Sequence, residues 1–78
     1  MAGKMVGVYL GTIVNTIDPT GQNRAQVRIP NVGMVTSLWA PVCQPFGTVA
    51  GIPRIASQAV VAFEGGDPDR PIILGCIP

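Results

Sequence analysis

Reactive groups are few in this 78-residue chain: four Asp or Glu, five Lys or Arg, two Cys and no His. Without histidine, acid–base chemistry would need a pair of carboxylates flanking a substrate. The acids are Asp18, Glu64, Asp67 and Asp69. Glu64 with Asp67 or Asp69 has the spacing for such a pair. All four, however, lie among Gly and Pro, in segments that read as turns. There a carboxylate folds back onto nearby backbone N–H groups and shapes the chain. The sequence is therefore read as carrying no catalytic residue. Cys43 and Cys76 are too few for a disulfide framework, and with no His they complete no zinc site. They are expected to be small buried hydrophobes in a reduced compartment. No metal or cofactor is expected.

Three of the four acids share one stretch, and the elements on either side of it must hold them. Ala59 to Phe63 is a short β-prone run, and Ile72 to Leu74 is another. Between them Gly65 and Gly66 allow positive φ. Pro68 and Pro71 fix their own φ and push Asp67 and Arg70 out of the helical region. The spacing predicts a long-looped hairpin whose tip carries Glu64, Asp67, Asp69 and Arg70.

The rest of the chain supplies three more strands. Met5 to Thr16 reads as the first, with Gly7 and Gly11 marking a bend or a close backbone approach. Asp18 to Asn23 is a turn. Arg24 to Ile29 alternates cleanly: Ala25, Val27 and Ile29 on one face, Arg24, Gln26 and Arg28 on the other. Pro30 ends it, and 31–35 is a loop. Ser37 to Val42 is a short third strand, with Trp39 expected as a core plug and Pro41 implying an irregular ladder. Gln44 to Ile52 is a loop, and Pro53 to Ser57 leads into strand four. The expected core includes Val27, Ile29, Trp39, Val61 and Phe63.

Composition agrees with an all-β chain. Gly and Pro number 10 and 8 of 78 residues, which leaves no room for an ordinary helix. Residues 1–78 are read as one domain. No stretch reaches the roughly 20 apolar residues of a membrane span, and no signal peptide is apparent. Charged residues are 12% and hydrophobic ones 47%, with net charge +1. So little charge fits either a tightly packed neutral barrel or an outer surface covered by partner chains.

The string Phe63-Glu-Gly-Gly-Asp-Pro-Asp-Arg-Pro-Ile-Ile-Leu-Gly75 resembles the signature of the OB-fold base domain of phage baseplate spike proteins and type VI secretion spike proteins. Gly11 to Pro30 is similar to the first hairpin of that family, with its Asp18-Pro19 turn and its Val27-Arg28-Ile29-Pro30 strand. Trp39-Ala-Pro-Val42 resembles its tryptophan strand, and Pro53 the proline that opens the next hairpin. The chain departs from the pattern at Ala56, where the family usually has Gly. The resemblance implies a small five-stranded antiparallel OB-fold barrel, a stand-alone one whose hub and needle would be separate polypeptides. It further implies a structural part of a phage or phage-like tail or baseplate: a trimer around the tail axis that joins hub to tail-tip spike. Such a protein resides in the virion and is made in the bacterial host cytoplasm.

Strand four presents Val60 and Ala62 on the face opposite Ala59, Val61 and Phe63, and Ile72 to Leu74 is apolar throughout. A strand apolar on both faces is usually buried on both. The expected partner interface is therefore Val60, Ala62 and Ile72, flanked by Glu64, Asp67, Asp69 and Arg70, with Arg28 supplied by a neighbour. Single-stranded nucleic acid is the alternative partner, since many OB folds bind it on aromatic residues in a basic groove. Tyr9 with Arg24 and Arg28 is the nearest approach to that pattern, and net +1 is a weak electrostatic footprint. Binding to single-stranded DNA at about 150 mM salt is accordingly expected to be weaker than micromolar. Fluorescence anisotropy that found sub-micromolar affinity with a steep salt dependence would overturn that expectation.

Overall fold

The structure, a computed structural model, describes residues 6–47, 51 and 53–77. Five strands form it: β1 (Tyr9–Asn15), β2 (Arg24–Arg28), β3 (Ala40–Pro41), β4 (Gln58–Phe63) and β5 (Pro71–Ile77). They pair antiparallel in the order β3-β2-β1-β4-β5. The sheet then curls until its edges meet: Val42 bridges Ile73 in parallel, and the Cys43 N–H donates to the Ile73 carbonyl at 2.9 Å. The result is a nearly closed all-β barrel. Among the described residues the only helical pieces are two 3-10 turns, Pro30–Val32 and Glu64–Gly66. Among the described residues no helix is long and apolar enough to cross a membrane.

Alternation fixes what lies inside. Ala25 and Val27 of β2, Ala59, Val61 and Phe63 of β4, and Ile13, Ile29, Ala40 and Ile73 make the core. Tyr9 packs against it edge-on to Phe63, with ring centroids 5.5 Å apart. Gly11 faces inward where β1 crosses β2. A Cβ there would stand 2.9 Å from the Arg28 carbonyl oxygen, so the close approach expected of this glycine is present. Two bulges bend the sheet, one in β1 between Ile13 and Asn15, the other where Val60 pairs with Gly75 and Val61 with Ile73.

Several expectations need correction. β1 begins at Tyr9, and of the earlier residues read into it Met5 lies outside the described set. β5 is longer than Ile72–Leu74, running to Ile77. The third strand shrinks to two residues. Its place is taken by Ser37, whose hydroxyl accepts the Val27 N–H at 3.0 Å while its own N–H donates to the Val27 carbonyl at 2.8 Å. Trp39 is only half-buried and is not a core residue. Ala40 takes the inward position, so its neighbours Trp39 and Pro41 must point outward. Cys43 and Cys76 are both exposed rather than buried. Cys43 follows the inward-packed Val42, and Cys76 sits on β5 beyond the bulge.

The turn before β4 carries local strain. Ala56 has φ +74°, the left-handed region that favours glycine. It is held there because its N–H donates to the Ile13 carbonyl at 2.8 Å. A left-handed non-glycine residue costs about 1–2 kcal/mol, and glycine adds roughly 0.4–1 kcal/mol of unfolded-state entropy. Ala56→Gly should therefore stabilise the domain by up to about 1 kcal/mol. A urea midpoint that falls in this variant would contradict the strain.

Candidate interaction site

The tip between β4 and β5 is held by its backbone. The Glu64 N–H donates to the Arg70 carbonyl at 2.9 Å, closing the loop at its base. Asp67 N–H donates to the Glu64 carbonyl, and Arg70 N–H to the Asp67 carbonyl. Gly65 and Gly66 take φ of +61° and +78°, the conformation expected of them. The Asp67 carboxylate accepts the Asp69 N–H at 2.9 Å, the turn-forming role expected of this aspartate. Arg70 reaches Glu64 at 3.7 Å and Asp67 at 3.8 Å, all three side chains being about half exposed or more. Such pairs add little stability. Among the described residues, the Asp69 side chain has no partner, and no three acidic or cysteine side chains gather as a metal site.

Beside this tip lies an open groove of about 280 Å³. Its floor is apolar: Trp39, just before β3, Pro41 from β3, and Pro71 and Ile72 from β5. Its rim is Glu64, Asp69 and Arg70. The groove exists because closure of the barrel sets β3 against the start of β5. Trp39 is steadied from behind by Arg24, whose guanidinium lies 6.0 Å from the ring centroid. Pairing of Arg24 with Pro41 puts them on one side of the sheet.

Arg24 is itself fixed by the turn between β1 and β2. Its Nε and Nη2 donate to the Asp18 carboxylate at 2.9 and 3.0 Å. The same carboxylate accepts the Thr20 N–H, the Thr20 hydroxyl and the Gln22 N–H. Only 3% of the Asp18 side chain is exposed. The Arg24 guanidinium holds the Asp18 carboxyl well below the usual carboxylate range; partial desolvation opposes this, and the Thr20 and Gln22 contacts add to it. Arg24 is raised in turn, first by its hydrogen bonds to Asp18.

The residues expected at a partner interface fall into three places. Val60, Ala62 and Ile72 lie together on the outer face of β4 and β5, half-buried, with Ala62 directly opposite Ile72. Leu10, 45% exposed, stands opposite Val60 and extends that patch. Glu64, Asp67, Asp69 and Arg70 are gathered at the tip. Arg28 is exposed on β2, separated from β4 by β1, and is not brought to the tip of its own chain. Sequence reasoning missed the groove and the Asp18–Arg24 pair. The signal for the pair was an acid at the head of a turn with an arginine six residues on.

Residues 9–77 match the family described as the type VI secretion system and phage-baseplate injector OB domain. The chain is 33% identical over 85 aligned residues, 96% of its length, to a type VI secretion system spike protein of Pseudomonas aeruginosa. It is 32% identical over 83 residues, 94% of its length, to an actin cross-linking toxin of Vibrio cholerae. It spans only 11% and 8% of those two proteins.

The Asp18 contact gives a pH dependence. Its folded pKa is depressed, so its stabilisation is present above the unfolded value near 4 and is lost as pH falls below it. Asp18→Asn should lower the urea midpoint at pH 7 and flatten its decline between about pH 5 and 2. Equal acid sensitivity in the variant and the parent would show that other carboxylates control the decline.

Proposed function

The chain belongs to the injector OB-domain family of type VI secretion systems and phage baseplates, and on that premise we propose that it is a structural module of a phage or phage-like tail. Its copies associate around the tail axis as a trimer and join the central hub to the tail-tip spike. The particle's tail or baseplate is its site of action, after synthesis in the bacterial host cytoplasm. Its partners are its own copies and the hub and spike proteins.

The observation that carries this reading is the outer face. A barrel has one interior, and here Ile13, Val61 and Ile73 fill it. Yet Leu10, Val60, Ala62 and Ile72 form a second apolar surface outside it, continued by Leu74, 46% exposed. Repetition of one contact among identical chains gives such a face a cover. The tip beside it carries three carboxylates and one guanidinium, which set register more than they add affinity. Arg70, or Arg28 of a neighbour, is the cation for Asp67 or Asp69 across that contact.

The nucleic-acid reading has less support. Arg24 is bound to Asp18, and the aromatic groove next to it is rimmed by Glu64 and Asp69, which repel phosphate, and by Arg70, which already faces Glu64 and Asp67. An enzymatic reading fares similarly, since Glu64 and Asp67 share one arginine on an open surface.

Val60→Asp or Ile72→Asp should leave a folded chain, by circular dichroism, that no longer assembles. Arg70→Ala should weaken assembly less. Native mass spectrometry of each variant, alone and with hub and spike proteins, checks this. Wild-type chain that stays monomeric at high concentration and ignores both partners would refute the proposed role.

A further inference from the structure

The Trp39 groove and the turn before β4 complement each other, but not within one chain. The turn precedes Gln58 at the start of β4, and the groove's rim begins at Glu64, just past its end. The six residues of β4 lie extended between Ser57 and Glu64, about 20 Å at roughly 3.3 Å per residue. A chain therefore cannot place its own turn in its own groove, whereas a second copy can.

The turn presents two side chains outward, Arg54 and Ile55, the latter 56% exposed. Its shape is fixed by the hydrogen bond from Ala56 to Ile13 and by the Ser57 N–H on the Arg54 carbonyl at 3.2 Å. Arg54 makes no ion pair among the described residues. The groove offers the reverse: an apolar floor of Trp39, Pro41, Pro71 and Ile72, and at its rim the unpaired Asp69 carboxylate, next to Glu64 and Arg70, whose charges face each other at 3.7 Å. Arg28, the other unpaired arginine among the described residues, stands at the end of β2 opposite Thr12, not on a projecting turn.

We propose that the Arg54–Ile55 turn of one copy seats in the Trp39 groove of the next, with Ile55 on the aromatic and proline floor and Arg54 on Asp69. The inference rests on the self-association proposed above and adds a second contact to it, in which Arg54, rather than Arg28 or Arg70, meets Asp69. The contact joins two different surfaces, so it is head-to-tail and propagates from copy to copy until a ring closes.

Trp39 is the only tryptophan in the chain, so its emission reports the occupancy of the groove. The experiment uses the full chain at matched concentrations, with native mass spectrometry for mass and Trp39 emission for burial. Arg54→Glu and Asp69→Lys each place like charges at the contact. Each is expected to cut the oligomeric fraction at least ten-fold and leave Trp39 emission at its long-wavelength, monomer position. Chains carrying both changes restore opposite charges and should regain the wild-type mass and the blue-shifted emission. Circular dichroism confirms that each variant folds. If the wild type assembles and both single variants assemble equally well, the groove is not the contact, although self-association stands. Failure of the double variant to recover also overturns the groove contact. A wild type that is monomeric throughout overturns the self-association as well.

Discussion

Closure of this barrel rests on one narrow contact, the parallel bridge of Val42 to Ile73 with the Cys43 N–H on the Ile73 carbonyl. β3 offers just two ladder residues, and Pro41 has no N–H to give. Closure therefore depends on side chains around the bridge more than on backbone pairing. Ile73 is fully buried, and Val42 packs onto the core cluster beside it. Ser37 extends β3 by proxy, supplying a hydroxyl where a strand would supply a carbonyl. The same closure sets Trp39 and Pro41 beside Pro71 and Ile72. The groove is thus a consequence of how the sheet ends meet.

Much of the fold was legible because period-two alternation survives in this chain wherever one face is covered. Arg24 to Ile29 and Ala59 to Phe63 bury the residues their pattern assigns inward. The tip was legible through its chemistry: glycines at positive φ, prolines with fixed φ, and Asp67 capping its own turn. Trp39 was misread because hydrophobicity alone marked it as core, while face is decided by register, and Ala40 held the inward place. The cysteines were misread in a similar way. Their small, apolar character says nothing about the bulge at β5 or the outward step after Val42. The Ala56 conformation was visible only as a departure from the family's glycine, and its φ of +74° now gives the departure a physical meaning.

The charged groups divide into two kinds. Asp18 and Arg24 are turned on each other through two hydrogen bonds and serve to fix a turn and steady an indole ring. The other charged groups among the described residues stand on the surface in loose pairs or alone, where water screens them. A surface so poor in charge leaves its apolar patches to dominate contact, with the few charges deciding orientation.

The tip's shape comes from main-chain hydrogen bonds and two glycines, and only one of its acidic side chains, Asp67, takes part in holding it. Shape and charge are therefore separable there. Residues 64, 69 and 70 can be rewritten without disturbing the scaffold that displays them. A barrel built this way can drift from one set of neighbours to another by exchanging a few surface charges, keeping its fold throughout. Partner choice then evolves on a part of the molecule where changes carry little penalty in stability.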